Sequence, residues 1–140
     1  MSSGYIINIE EATTRNKHYR QVLFTAHHTQ LVLMRLKPGE EIGEEVHDLD
    51  QFIRFEAGEG SVILDGKTYS VSDGYAVVIP AGTRHNVMNR SNITDLKLYS
   101  LYSPPEHKDK TIIRQSGTPM PMNILTSMGQ LQFPKPLGGE

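Results

Sequence analysis

The chain has six histidines and no cysteine. Disulfides, zinc–thiolate sites and cysteine nucleophiles are therefore excluded, and any metal or proton chemistry falls to imidazole, carboxylate, amide or hydroxyl groups. His18, His27, His28 and His107 have neighbours that call for no special account; His47 and His85 do not. Glu45 lies two residues before His47, and on a strand that spacing puts both side chains on one face. Gln51 lies four residues further on, after a bend at Asp48-Leu49-Asp50, with the parity to face the same side. His85 opens a separate segment just after Pro80-Ala81-Gly82. Two neutral imidazoles and a carboxylate suit a divalent metal such as Fe, Mn, Zn, Ni or Co and leave positions open for water or substrate, while the amide oxygen of Gln51 is a weaker, hard donor.

Each candidate has a blander reading. His47 and His85 could be structural. Glu45 could be a solvated acid in an acidic loop with Glu40, Glu41 and Glu44. Gln51 could hydrogen-bond His47 or a bound water rather than a metal. Glu44, of opposite strand parity, and Asp50, which a bulge could turn inward, are the competing acids. Inside a barrel any such group must find a partner, and a metal or ligand would supply one.

The segments that must position these residues read as strands. Residues 21–25 (QVLFT), 31–36 (LVLMRL), 51–55 (QFIRF), 61–64 (SVIL), 67–71 (KTYSV), 75–79 (YAVVI) and 96–101 (LKLYSL) are short and rich in β-branched and aromatic residues. Turn signals separate them, at Pro38-Gly39, Gly58-Glu59-Gly60, Asp65-Gly66, Asp73-Gly74 and Ala81-Gly82. Asp65-Gly66 has the composition of a two-residue type I′ hairpin. No amphipathic run between residue 20 and about 103 is long enough for a helix. The pattern predicts an all-β fold, a single antiparallel sandwich or barrel. Residues 1–19 are expected to be an N-terminal strand, at 5–12, and a lead-in; residues 20–104 the barrel core; and residues 105–140 an irregular extension with a short helix near 123–128. His27-His28 is expected at a hairpin. Arg54, of opposite parity to Gln51, is expected to be solvated or paired, and Tyr99 and Tyr102 to pack or to offer a hydroxyl to a ligand.

Two stretches resemble the paired motifs of the cupin superfamily. Gly39, Glu45, His47, Gln51 and Gly58 match the spacing of the first, and Gly74, Pro80, Gly82, His85 and Asn89 that of the second. The resemblance covers about residues 38–90. It implies a jelly-roll barrel with a metal held by Glu45, His47, Gln51 and His85, and a homodimer paired through edge strands. The chain departs from the family pattern at two positions: Glu45 replaces a histidine and Gln51 a glutamate. The ligand charge is unchanged, but the carboxylate has moved.

Functionally, the resemblance implies a metal-dependent enzyme acting on a small polar molecule of sugar or keto-acid type, by isomerase, dioxygenase or lyase chemistry, loosely similar to mannose-6-phosphate isomerase-like cupins. The rival reading is a non-catalytic module that binds or senses a small ligand. The formal charge of −2 is spread along the chain, without a basic block for nucleic acid. No apolar run approaches membrane-spanning length and the first residues lack signal-peptide character, so the expected location is the cytoplasm.

Overall fold

The structure, a computed structural model, describes residues 3–116. Among the described residues, nine strands form two antiparallel sheets in the order β1 (Arg20–Thr25), β2 (Gln30–Leu36), β3 (Asp50–Ala57), β4 (Glu59–Leu64), β5 (Lys67–Ser72), β6 (Ala76–Ile79), β7 (His85–Asn89), β8 (Leu96–Ser103) and β9 (Ile112–Ile113). The larger sheet runs β6-β3-β8-β2-β1-β9 and the smaller β5-β4-β7. Residues 41–45 run antiparallel beside β7 through bridges at Glu41–Met88 and Glu45–His85, which widens the smaller sheet. The result is a jelly-roll barrel whose two sheets face each other across one core.

Register decides which side chains face inward. Directly paired residues share a face, and three inward rows cross the larger sheet. Val22, Val32, Ser100 and Ile53 form the first; Arg20, Met34, Leu98 and Phe55 the second; Gln30, Tyr102 and Gln51 the third. Met34, Leu98, Ile53 and Phe55 are fully buried, each contributing roughly 1.5–3 kcal/mol from lost apolar exposure. The third row is polar and sits towards one end of the barrel. A bulge after Val22 turns Phe24 outward, where the ring of Tyr5 stacks on it at 5.1 Å.

The turns follow their residues. Asp65 (φ 48°) and Gly66 (φ 87°) both take the positive φ that a type I′ hairpin demands. Gly58, at φ 100°, lies where β3 bulges against β8, and any Cβ there would collide with the Asp95 carbonyl. Asn89 donates to the carbonyls of Leu36 and Thr94, at 3.0 and 2.9 Å, and so ties the end of β7 to the other sheet.

The strand expected at 5–12 is absent; a helix, α1 (Ile9–Arg15), occupies much of that stretch. Asn8 caps it by accepting from the Glu11 backbone N–H, Glu10 and Glu11 lie in the first turn, and Arg15 lies in the last. Lys97 donates to the carbonyls of Thr14 and Asn16 at the helix end. The β-branched run Ile6-Ile7 suggested a strand, but the capping pattern prevails. The sheet also continues past residue 104, because β9 pairs with β1. The helix expected at 123–128 lies outside the described residues.

Candidate metal centre

The two motif stretches meet through their backbones. Glu45 and His85 exchange both N–H···O bonds at 2.9 Å, and Gly82 donates to the His47 carbonyl at 2.8 Å. Asp50 accepts from the Ala81 N–H at 2.9 Å, and so locks the end of the first stretch onto the turn that precedes His85. Asp50 therefore faces the turn. Glu44 pairs with Arg84 at 3.1 Å on the exposed surface. Neither competing acid joins the site.

Glu45, His47 and His85 come together, with one potential ligand atom from each lying within 4.8 Å of the others. Their arrangement is directional. His85 Nδ1 lies 2.9 Å from the Thr83 carbonyl, which can only accept, so the proton sits on Nδ1 and the lone pair on Nε2. That Nε2 is buried and has no hydrogen-bond partner among the described residues; it lies 3.8 Å from Glu45 Oε1. His47 repeats the pattern: Nδ1 lies 3.6 Å from Glu106 Oε2, while Nε2 lies 3.1 Å from the same Glu45 Oε1. The two rings are 5.1 Å apart and tilted by 47°. Both histidines thus have Nδ1 against an oxygen and Nε2 towards one carboxylate, the arrangement by which outer acceptors orient histidine ligands.

Gln51 stands in the polar inward row, buried, between Tyr102 and Ile79. Its Nε2 donates to Ser100 Oγ at 3.2 Å, and its Oε1 is buried with no donor among the described residues. Its row neighbour Tyr102 packs edge-on against His47 at 6.2 Å.

The electrostatics are coupled. Burial opposes charge on Glu45, but the hydrogen bond to His47 and the fields of His47, Arg20 and His85 outweigh it and hold the carboxyl below its usual pKa. The bond to Glu45 raises the pKa of His47 against burial, and Glu106 adds to the rise. Burial pushes the Tyr102 phenol well above its usual value, so it stays protonated.

Several residues at this end escape a motif reading. Arg20 shares the inward row of Met34. Gln30, fully buried, donates to the His107 carbonyl at 2.7 Å and accepts from the N–H groups of Glu106 and His107 at 3.1 and 2.9 Å, which draws the 104–108 segment back over the barrel end. That segment delivers Glu106 to His47 and packs the His107 ring on Tyr102 at 5.1 Å. The parity of Arg20 with Val22 was readable in the sequence; nothing local marks Gln30 or residues 106–107. Of the tyrosines, Tyr102 faces the site and Tyr99 packs near Phe52 on the other face. Arg54 lies 3.7 Å from Glu56. His27 and His28 sit between β1 and β2, their rings in contact at 4.4 Å.

The donor chemistry fits a divalent cation: two imidazole Nε2 atoms and a carboxylate converge, a cation can displace the proton that His47 Nε2 shares with Glu45, and the buried His85 Nε2 and Gln51 Oε1 have no partner among the described residues. Among the described residues, no helix is long and apolar enough to cross a membrane.

Comparison with known proteins agrees with this architecture. Residues 32–102 match the Cupin domain family. The uncharacterised protein L612 of Acanthamoeba polyphaga mimivirus is 47% identical over 108 residues, covering 74% of this chain and 67% of that protein. The uncharacterised protein YrkC of Bacillus subtilis is 46% identical over 116 residues, covering 77% of this chain. This chain spans only 61% of the length of YrkC. The crystal structure of BH2720 from Bacillus halodurans superposes with a TM-score of 0.76 at 44% identity, covering 79% of this chain and 88% of that one. The chain belongs to the cupin family.

Proposed function

We propose that this cupin holds one divalent metal through Glu45, His47 Nε2 and His85 Nε2, with the Gln51 amide oxygen as a neutral fourth donor, and that the loaded barrel is an enzyme acting on a small polar molecule of sugar or keto-acid type. One observation carries the metal reading: His47 and His85 each place Nδ1 against an oxygen and turn Nε2 towards the same carboxylate oxygen. Histidines kept only for packing have no reason to share that orientation. The unpartnered Oε1 of Gln51 supports the fourth donor. When bound, the cation supplies Lewis acidity to an oxygen it touches.

The protein groups supply the rest. The Thr83 carbonyl holds the His85 ring in one tautomer, and the Glu106 carboxylate, 3.6 Å from His47 Nδ1, places negative charge behind the second ring. Tyr102, kept neutral by burial, can donate a hydrogen bond to an oxygen that gains negative charge. Glu45, with about a third of its side chain exposed (36%), is the member of the set that a small molecule from solvent can reach. This combination suits proton movement next to a carbonyl or hydroxyl. Pairing of two copies would use the sheet edges at β5 and β6, where Tyr69, Tyr75 and Val78 are exposed; a sedimentation mass of one chain would remove that part of the proposal.

Elemental analysis of the purified full chain tests the metal. Stoichiometric metal is expected in the wild type and almost none in His47→Ala or His85→Ala. Normal occupancy in the double variant would refute the site. Turnover of sugar phosphates or keto acids that disappears with the metal supports the enzyme. Saturable binding without turnover would make the chain a binding module instead.

A further inference from the structure

We infer that a second copy of this chain docks on the outer face of the larger sheet, over one apolar row and the N-terminal arm beside it. Resting on the pairing of two copies proposed above, the surface runs on from the β6 edge, where Val78 stands, across the sheet. Register defines the row. Val78 pairs with Phe52, Phe52 with Leu101, Leu101 with Leu31, and Leu31 with Phe24, so their side chains line up on the outer side of five adjacent strands. At about 4.8 Å per strand the row is roughly 19 Å long. It carries no charge. Val78 is 65% exposed, and the other four are only partly buried. The free face of an antiparallel sheet ordinarily turns polar side chains to water. An unbroken apolar row there marks a surface that another body covers.

The arm shows the same unmet demand. Tyr5, Ile6 and Ile7 have the composition of a strand, yet they join no strand among the described residues. The Tyr5 ring stacks on Phe24 and so seats the arm at one end of the row. Ile6 beside it is 100% exposed. Row and arm lie on the same chain, so two copies can cover each other reciprocally across a closed twofold interface. The helix α1 decides the orientation. It packs on the same outer face, against β8, β3 and β2, with its last turn held by Lys97, two outward positions along β8 from Leu101. A twofold axis parallel to the strands sets each α1 against its twin and holds the faces apart. An axis along the row instead places each α1 beyond the polar border of the partner's row, where Asp50 pairs with Ser103. Arg54 lies on the opposite border, in register with Tyr99. The axis along the row therefore brings Asp50 of one copy to Arg54 of the other. Both have capacity left, because Arg54 meets Glu56 only at 3.7 Å and Asp50 spends one oxygen on the Ala81 N–H. Such border charges set orientation more than affinity.

The test uses the full chain. Wild type is expected to sediment as two chains. Ile6→Asp should weaken pairing at least about tenfold. Ile6 is fully exposed, so this variant cannot act by unfolding a single copy. The chain has no cysteine, so single introduced thiols report contacts without background. Leu101→Cys and Ile6→Cys should each give a covalent dimer with a short bismaleimide, because on an axis along the row each residue faces its twin. Tyr69→Cys, on β5, reports pairing through the edges alone. With a two-chain wild type, the docking surface is overturned if Ile6→Asp leaves pairing unaltered, or if either row-side thiol fails to link to its twin. A link at Tyr69→Cys alone overturns it and leaves the edge pairing in place. A wild-type mass of one chain overturns both together, and a Leu101→Cys thiol that resists alkylation in that single chain gives the row to residues 117–140 instead.

Discussion

Two stretches deliver histidines to one end of the barrel by different physical means. The motif stretches place His47 and His85 through short-range geometry: strand parity, a Pro-x-Gly turn, and a pair of backbone bonds between Glu45 and His85. The 104–108 segment places Glu106 and His107 through one buried side chain, Gln30, distant in sequence, whose amide satisfies three backbone groups at once. The first arrangement is rigid because the sheet enforces it. The second hangs on one amide. The protein thus sets the candidate metal-binding side chains by backbone pairing and the groups behind them by a single tertiary clamp, so the clamp can be removed without dismantling the barrel.

The largest effect that separates the two belongs to His85→Ala, which removes a donor from the inner set and should abolish stoichiometric metal while leaving the 104–108 segment in place. Next comes Gln30→Ala. Loss of its bonds leaves the N–H groups of Glu106 and His107 without their acceptor, and stability should fall by about 2–3 kcal/mol, read by chemical unfolding. Metal should bind more weakly but still bind. Normal metal affinity together with a protease-sensitive 104–108 segment would show that the clamp does not support the ligands. Glu106→Gln is gentler still: it removes the charge facing His47 Nδ1 without disturbing the clamp. Metal affinity should drop within the roughly 10–100-fold range seen for outer partners of histidine ligands, with unfolding little changed. An unaltered affinity would leave His47 oriented by its own backbone and by Glu45 alone.

The same contrast explains what could be read from the sequence. Strand parity placed Glu45 and His47 on one face, Gln51 in the inward row, and Asp65-Gly66 in its hairpin, because each depends on residues a few positions apart. Glu44 and Asp50 could be settled only once Arg84 and the Ala81 N–H were in place. Residues 5–12 misled because Ile6 and Ile7 favour a strand while Asn8 and Glu11 favour a helix start, and the cap prevailed. Arg20 was overlooked because a charged residue at the head of a strand reads as solvated; its inward direction emerges from pairing with Met34. Gln30 and His107 meet only through long-range folding, which no local pattern encodes.

The smallest effect probes the clamped segment through its own histidine. His107 is held by burial, and by the nearby positive charge of Arg20, at a pKa of about 4, below the usual 6.5. Above pH 6.5 the ring is neutral in both folded and unfolded chains and contributes no pH dependence. As pH falls from 6.5 towards 4, the unfolded chain takes up a proton that the folded chain refuses, so stability is lost across that window. Comparing wild type with His107→Gln by chemical unfolding between pH 7 and 4 isolates the effect from the other titrating groups. The variant should gain relative stability as the solution is acidified. A difference that stays constant with pH would mean that the ring is exposed to protonation and the segment is not held down on Tyr102, and the contrast between sheet-built and clamp-built halves of the site would lose its second member.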